Sequence, residues 1–440
     1  MTALLPPDHP DRLRLADEVH ARPPEPLETP SRATYVAVLI DADDRDRELV
    51  HLGSLCAAHG VAGPQMGDTH LGATLGPLRL KWERHGEFSG YTFFTAGRSP
   101  TPFGEPPTSL LPAGWLAAIP GATVAAAHAE LVAAGSGMPD ATMLASHFGN
   151  HIAVGAEIGG GAGLAFTDFR IHADGCARFL VIDRGFTPRQ AGRMLQRLFE
   201  IEAYRMMSLL ALPIARRQAP RIVSIEKSLA ALTDDIAREQ ATDHAADDEA
   251  LLQQLTRLAA EVESGLAASQ FRFGACRAYF ELVTRRIAEL RETRLSGVQT
   301  IEEFMARRFT PAVNTCTTVS QRLHDLSERV AQASALLSTR VEITRERQNQ
   351  SLLGSMNRRA TLQLRLQQTV EGLSVAAIVY YVAGLAGYGA KALKAGGARI
   401  EPDLVVGIAI PLIAVSVVLA LRRARRRMAR DESGTAGHRS

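Results

Sequence analysis

The spacing of apolar residues along the chain changes in character near residue 186. Before that point, short apolar runs rich in β-branched and aromatic residues are separated by glycine, proline and aspartate, a pattern typical of strands. The predicted strands are residues 34–40, 78–82, 88–94, 162–171 and 176–182. Residues 49–59 and the alanine-rich run 122–134 are predicted to be helices. Residues 1–186 are therefore predicted to form an α+β or α/β domain.

Two turns connect the predicted strands into hairpins. His85-Gly86 separates the second strand from the third, and Ala173-Asp174-Gly175 separates the last two. The glycine-rich run 159–163 precedes a predicted strand and lacks the strand-then-helix context of a phosphate-binding loop, so it also predicts a turn.

From residue 187 onward the apolar residues recur with the period of a helix. Thr187 and Pro188 are typical of a capped helix start. No proline occurs from 312 through 401, so a helix beginning near Asn314 is expected to run unbroken into the apolar C-terminal region. Further helices are predicted at 221–236, 249–265 and 271–295. Residues 187–372 are therefore predicted to form a helical bundle and stalk.

Two uncharged apolar runs, 373–390 and 404–421, lie near the C-terminus. At about 1.5 Å per residue, each helix would cross most of a hydrocarbon core of roughly 30 Å. The alternative is a buried hairpin of two soluble helices. We predict that residues 373–421 hold two transmembrane helices and that 422–440 form a basic, disordered cytoplasmic tail.

Basic residues are more numerous outside the two runs than in the loop that connects them. Six arginines follow the second run and three precede the first, whereas the connecting loop carries three basic residues. The positive-inside rule then predicts that both termini lie in the cytoplasm. The two spans are accordingly expected in the inner (cytoplasmic) membrane. The proline-rich N-terminus has no apolar segment, and no cleaved signal peptide is expected. Five arginines are predicted to contact anionic lipid headgroups: Arg422, Arg423, Arg425, Arg426 and Arg427.

The composition narrows the classes of function. Hydrophobic residues make up 46% of the chain and charged residues 22%, which is ordinary globular composition. A formal net charge of +2 gives no reason to expect binding to nucleic acid. The four cysteines are too scattered for the common zinc or thioredoxin spacings. No P-loop, nucleophile elbow or zinc-protease motif occurs, and no cofactor is predicted.

Two polar clusters are candidates for ligand binding. His20 and Arg22 lie beside two prolines, and the guanidinium could clamp an acid or phosphate or could tie the N-terminal arm to the domain. Asp168 and Arg170 are expected on one strand face, where they could bind a ligand or form an ion pair with each other. Glu202 falls on the apolar stripe of a predicted helix, so it needs an arginine partner or a functional role.

A third cluster is a candidate cation site. Strand alternation places Glu83, His85 and Glu87 nominally on one face, and two carboxylates with an imidazole form a reasonable metal-ligand set. The alternative is a salt-bridged strand end that binds no transition metal. None of the three clusters places a nucleophile beside a base, so no reaction mechanism is predicted.

Long strings within the chain resemble a bacterial membrane-anchored family of unknown function, DUF3422. Among these strings are HPDRLRLADEVHARP, LKWERHGEFSGYTF and TDFRIHADGCARFLVIDRG. The resemblance implies a membrane anchor and no reaction. The architecture is also similar to that of CorA-type magnesium channels, which carry Tyr-Gly-Met-Asn at the end of the first span. The corresponding place reads Tyr388-Gly389-Ala390-Lys391 here, so the second half of the signature is missing.

These patterns favour a non-enzymatic inner-membrane protein. We expect it to assemble as a homo-oligomer in the lipid bilayer and to bind an unknown cytoplasmic partner through its N-terminal domain. A divergent CorA-like ion transporter is the alternative function, and an enzyme that uses one of the polar clusters is a third.

Overall fold

The computed structural model describes residues 6–13, 15–16, 23–135, 139–149, 151–238, 245–397 and 401–435. The chain divides into two compact units, Met1–Leu336 and Leu337–Ser440. The helices used below are α1 (Arg45–Ala58), α2 (Ala141–Phe148), α3 (Pro188–Leu209), α4 (Leu212–Arg238), α5 (Ala245–Leu290), α6 (Ile301–Arg308), α7 (Thr310–Ala395) and α8 (Pro402–Thr435).

The first unit is organised around a mixed sheet in which nine described strands follow the order β2-β3-β4-β1-β5-β8-β7-β6-β9. Neighbouring strands are antiparallel except β5 and β8, which run parallel. The strands are β1 (Ser31–Leu39), β2 (His70–Leu75), β3 (Leu78–Arg84), β4 (Phe88–Ala96), β5 (Ala122–Ala133), β6 (Val154–Ile158), β7 (Gly163–Thr167), β8 (Ala177–Asp183) and β9 (Thr293–Arg294). This mainly antiparallel sheet with separate long helices is an α+β fold, one of the two expected classes.

The two faces of the sheet are covered by different helices. On one face Tyr35 of β1 stacks on Phe199 of α3, with ring centroids 5.2 Å apart. The next residue, Val36, points to the other face and joins the apolar core that includes Leu52 of α1 and Trp82 of β3. Successive side chains of a strand point to opposite faces, so β1 is buried between two layers.

The helix prediction for residues 122–134 is wrong, because this run forms the central strand β5. It pairs antiparallel with β1 and parallel with β8, so it is hydrogen-bonded on both edges. Alanine has high helix propensity, but tertiary pairing overrides an intrinsic preference of this size. Ala127 and Ala129 are fully buried, and small side chains here allow helix α3 to pack against the strand.

Several other boundaries differ from those predicted. The strand predicted at 162–171 ends at Thr167, and the helices predicted at 249–265 and 271–295 are one continuous helix, α5. The segment between those two predicted helices lacks proline, so nothing in it ends a helix. Strands β2, β6 and β9 and helix α2 were not predicted, because these elements are short: the strands have 6, 5 and 2 residues and the helix has 8.

The helices of the first unit are joined by polar contacts in addition to their apolar stripes. The Thr187 hydroxyl caps α3, as predicted, by accepting from a first-turn backbone N–H at 3.3 Å. Arg197 of α3 pairs with Glu289 of α5 at 3.0 Å. Arg322 of α7 pairs with Glu226 of α4 at 2.7 Å. These ion pairs join α3 to α5 and α4 to α7.

The predicted long helix is present as α7, which has 86 residues and contains the first apolar run. Helix α8 contains the second apolar run, tolerates Pro411 in its interior, and continues through the arginine cluster to Thr435. Two helical segments, Ile301–Ala395 and Pro402–Ala420, are long and apolar enough to cross a membrane on length and composition.

Candidate functional site

The loop between β7 and β8, residues 168–176, supplies four of the six side chains in two groups whose geometry could hold a metal ion. Strand β7 ends at Thr167, whose hydroxyl accepts from the Phe169 N–H at 3.2 Å. Phe169 has a φ of 51°, an unusual value for a non-glycine residue, and its ring stacks on Phe304 at 5.0 Å. The backbone therefore turns sharply just after Asp168.

Asp168 lies between two histidines. Its Oδ2 is 2.8 Å from Nδ1 of His151 and 3.0 Å from Nε2 of His172. Its Oδ1 accepts from the Arg170 N–H at 3.2 Å, which orients the carboxylate. The Asp168 side chain is 0% exposed, that of His172 is 10% exposed and that of His151 is 39% exposed. The cluster is thus closed on the protein side and open at His151.

The backbone on either side of His172 holds the loop in place. The His172 N–H donates to the Cys176 carbonyl at 3.0 Å, and the Gly175 N–H donates to the His172 carbonyl at 2.9 Å. Gly175 has a φ of 81°, which favours glycine at this turn. The ring of His172 is therefore presented by a closed, hydrogen-bonded turn.

A second group lies at the other end of the same loop. One ligand atom from each of His128, Asp174 and Cys176 lies within 4.8 Å of the others. His128 is held by Thr34, whose Oγ1 is 2.9 Å from Nδ1, and burial lowers the pKa of His128. Burial, together with the nearby Asp174 charge, raises the pKa of the Cys176 thiol to about 12. Asp174 also pairs with Arg178 at 3.6 Å.

A buried carboxylate, Glu48 of α1, anchors the other half of the sheet. Its Oε1 accepts from the Trp82 indole at 2.8 Å and from the Tyr91 hydroxyl at 2.7 Å. Its Oε2 is 3.3 Å from Arg45, whose guanidinium also donates to Ser89 at 2.8 Å. Glu48 is 1% exposed, and its acceptors are satisfied by buried donors, which identifies a structural network.

Two buried cysteines meet between α5 and α7. The thiol of Cys316 donates to Cys276 and lowers the pKa of Cys276, and Ser208 of α3 adds a contact at 3.3 Å. The same contact and burial raise the pKa of Cys316. All four cysteines are free thiols, so these two are reduced neighbours in the bundle.

The structure places two residues of the predicted cation cluster beside one cavity and gives the third different partners. Glu83 pairs with Lys81 at 2.9 Å, and Glu83 and His85 line one small cavity of about 20 Å³. Glu87 instead pairs with Arg272 and hydrogen-bonds to Tyr279. The metal-site interpretation and the salt-bridged alternative both stay predictions.

The other sequence candidates are distributed as follows. His20 and Arg22 lie outside the described residues. Asp168 and Arg170 were expected on one strand face, but the strand has already ended and Asp168 is buried while Arg170 is exposed. Glu202 forms the ion pair predicted as one alternative, with Arg205 at 2.6 Å.

The five arginines predicted to contact lipid headgroups all lie within the bounds of α8. The side chain of one of them, Arg423, is exposed.

Sequence reasoning missed the contacts of His151 and His172 with Asp168. One available signal was the four-residue spacing from Asp168 to His172 at the end of a predicted strand. His151 lies 17 residues before Asp168, beyond helix α2 and in a different loop, so no local pattern joins them.

The fold defines an α+β protein with long helices and two segments that are long and apolar enough to cross a membrane. The chain belongs to the family described as "Protein of unknown function (DUF3422)", whose model matches residues 7–428. This confirms the resemblance drawn from the sequence strings. No curated protein and no solved structure matches the chain.

Proposed function

We propose that the protein is a two-span, membrane-anchored scaffold of the inner membrane with both termini in the cytoplasm. Its α+β domain and helical bundle bind a cytoplasmic partner, and its long helix assembles with other copies of the chain. The observation that carries the proposal is the exposure of the apolar residues of α7 and α8, since water is a poor solvent for such surfaces.

The two apolar segments carry many large apolar side chains that are exposed. Leu373 and Leu385 of α7 are 68% and 70% exposed, and Leu404 and Leu412 of α8 are 64% and 63% exposed. A lipid bilayer would cover these side chains, so that their apolar surface would not be in contact with water. A soluble hairpin would have to leave them in water, which favours the membrane over the buried-hairpin alternative.

Small residues lie where α7 meets α8. A Cβ added to Gly387 would be 2.9 Å from Cγ2 of Val406, so the two helices approach closely there. Ala383 and Ala390, one turn before and after Gly387, are 5% and 4% exposed. Membrane helices associate through small residues of this kind, and these contacts support a paired hairpin.

The topology can be tested by cysteine accessibility. The four native cysteines are buried, so the native chain is a low-background host for single added cysteines. A cysteine at Ala395 should react with a membrane-impermeant maleimide in intact spheroplasts, whereas one at Ser54 should react only after lysis. The reverse pattern, or protection of both until lysis, would refute the proposed topology.

The oligomer follows from the part of α7 that precedes the first apolar run. Leu352, Met356, Leu362 and Leu366 are about two-thirds exposed in the single chain. Long helices with exposed apolar residues are stabilised by packing against other helices. The stretch repeats in every copy of the chain, so a second copy is the occupant we propose.

This assembly can be tested with two adjacent substitutions. Leu362→Glu should lower the mass of the detergent-solubilised assembly measured by light scattering, because it places a carboxylate in the contact. The matched control Gln363→Glu adds the same charge at the neighbouring exposed position and should leave the mass unchanged. A monomeric parent protein would contradict the proposal.

A divergent CorA-like ion transporter is the second candidate. The observation in its favour is the continuity of α7 into the first apolar run, followed by one further apolar helix. Against it stands exposed Lys391, a positive charge near the position of the missing signature. Mg²⁺ flux into liposomes that contain the purified chain would favour the transporter over the scaffold.

A further inference from the structure

We propose that His151, Asp168 and His172 bind one divalent transition-metal ion of the Zn²⁺ class. The site would use two imidazoles and one carboxylate and would leave at least one coordination position open toward solvent at His151. It is independent of the proposed membrane role, because all three residues lie in the sheet domain.

The first argument is convergence. One carboxylate oxygen lies within 3.0 Å of a nitrogen from each histidine. In a tetrahedral site with metal–ligand bonds of 2.0–2.1 Å, ligand atoms lie about 3.3 Å apart. Each histidine nitrogen would therefore move only a few tenths of an ångström away from Oδ2 to admit an ion. His151 can supply this movement because its side chain is 39% exposed.

The second argument is charge. Asp168 is fully buried, and a buried carboxylate is stable only when it is paired or coordinates a metal. Among the described residues its ion-pair partners are the two histidines, and Arg170 contributes its backbone N–H rather than its guanidinium. A divalent cation held by the same three side chains would place positive charge directly against this buried carboxylate.

The third argument is orientation by the surrounding backbone. The Arg170 N–H holds Oδ1 so that Oδ2 faces the histidines, and the 172–176 turn holds His172. Supporting hydrogen bonds of this kind fix the direction of metal ligands and raise affinity. Imidazole and carboxylate donors without a thiolate suit Zn²⁺ and neighbouring first-row ions.

The second group, His128, Asp174 and Cys176, is a weaker candidate. It lies beside Arg178, a permanent cation 3.6 Å from Asp174, which opposes the arrival of a second positive charge. Both Cys176 and His128 are nearly completely buried, so an ion would have to be fully desolvated to enter. The two groups differ in chemistry, because only the second contains a thiol, and this difference allows them to be distinguished.

The test uses the full chain, free of any histidine tag, purified in detergent and stripped of metal with a chelator. Co²⁺ is the probe, because its visible absorption reports coordination and a thiolate ligand adds a separate charge-transfer band. We expect saturable binding of one Co²⁺ per chain, displacement by Zn²⁺, and no thiolate band.

Substitution of the ligands should then remove the site. Loss of an outer-shell partner weakens metal binding by about 10–100-fold, so His172→Gln and His151→Gln should each weaken Co²⁺ binding by at least about 100-fold. His128→Gln is the matched control and should bind Co²⁺ like the parent. His151→Gln decides the question if His172→Gln does not fold, because His151 is partly exposed.

Three results would overturn the proposal. The first is the absence of saturable Co²⁺ or Zn²⁺ binding by the parent chain. The second is parent-like affinity in a folded His151→Gln variant. The third is a thiolate band that disappears in Cys176→Ser, which would place the ion in the other group.

Discussion

Replacement of Glu48 by alanine removes the centre of the buried network beneath helix α1. The carboxylate is 1% exposed and accepts from the indole of Trp82 and the hydroxyl of Tyr91. It also balances the charge of Arg45, which is itself 7% exposed. The variant would leave two buried donors without their acceptor and a buried cation without its anion.

The size of the effect follows from these contacts. An unsatisfied buried donor costs about 1–3 kcal/mol, and removal of one member of a buried ion pair costs about 3–5 kcal/mol. The contributions overlap, because Arg45 keeps its bond to Ser89 and water can enter the space left by the side chain. We therefore expect a loss of about 3–5 kcal/mol in the free energy of unfolding. At roughly 2–4 °C per kcal/mol, the melting temperature should fall by about 6–20 °C.

The two tryptophans of the chain make this measurable without isolating a fragment. Trp82 and Trp115 both belong to the apolar core that α1 covers, and the chain has no other tryptophan. Tryptophan emission during heating of the detergent-solubilised protein therefore reports unfolding of this half of the sheet. Helices α7 and α8 contribute no signal.

The control is Asp46→Ala, which removes an exposed carboxylate from the same helix and should change stability by less than about 0.5 kcal/mol. Glu48→Gln should fall between the parent and Glu48→Ala, because an amide oxygen can still accept while the ion pair is lost. A melting temperature of Glu48→Ala within 2 °C of the control would refute the assignment of Glu48 as the structural centre of this core.

Three further predictions concern the helices. Gly192→Ala places a methyl group against the Glu25 carbonyl oxygen, too close for the present backbone, and should cost about 1–3 kcal/mol. Gly274→Ala, with no atom within 4 Å of the added methyl group, should be neutral or slightly stabilising in the same melting assay. The contact between the two buried thiols lowers the pKa of Cys276 and raises that of Cys316, whose opposite effect on stability begins only near pH 9. Below that pH the Cys276 effect decides: its stabilisation is lost as pH falls through the lowered pKa. Cys276→Ser should therefore show a smaller rise in melting temperature toward pH 9 than the parent, and equal slopes would contradict this. Gln363→Pro should cost about 3 kcal/mol in α7 and reduce the far-ultraviolet circular dichroism, and parent-like spectra and melting would show that the helix is already interrupted there.

The parts of the fold that the sequence predicted are those specified by local chemistry. The β3–β4 hairpin follows from alternating apolar residues around His85-Gly86, and the start of α3 follows from a capping threonine before a proline. The partner of Glu202 was also predictable, because Arg205 lies one helical turn away. In each case the deciding residues lie within a few positions of one another.

The parts that could not be predicted depend on distant partners. Strand β5 resembles a helix in composition and becomes a strand because β1 and β8 are available on its two edges. The Glu48 network joins α1 to β3 and β4, more than 30 positions along the chain. No periodicity within α1 shows that one of its carboxylates is the acceptor for a tryptophan and a tyrosine.

The parallel pairing of β5 with β8 explains why the two candidate metal-binding groups lie close to each other along one loop. The groups are His151, Asp168 and His172, and His128, Asp174 and Cys176. In this register His128 lies opposite Arg178, so the beginning of β8 and the loop before it are placed beside the middle of β5. A parallel pair requires a crossover, and this one contains α2 and the β6–β7 hairpin. Arg178 donates to the His147 carbonyl at 3.0 Å, which holds the end of α2 against β8.

His151 follows the end of α2 within a few residues. It is therefore brought beside Asp168 and His172, which lie in the loop between β7 and β8. The clusters result mainly from this crossover, and their one local sign is the four-residue spacing from Asp168 to His172. The same reasoning indicates that the ligand geometry depends on the β5–β8 pairing. It also indicates that a chain in which this pairing is lost should lose both clusters, although every ligand residue is still present.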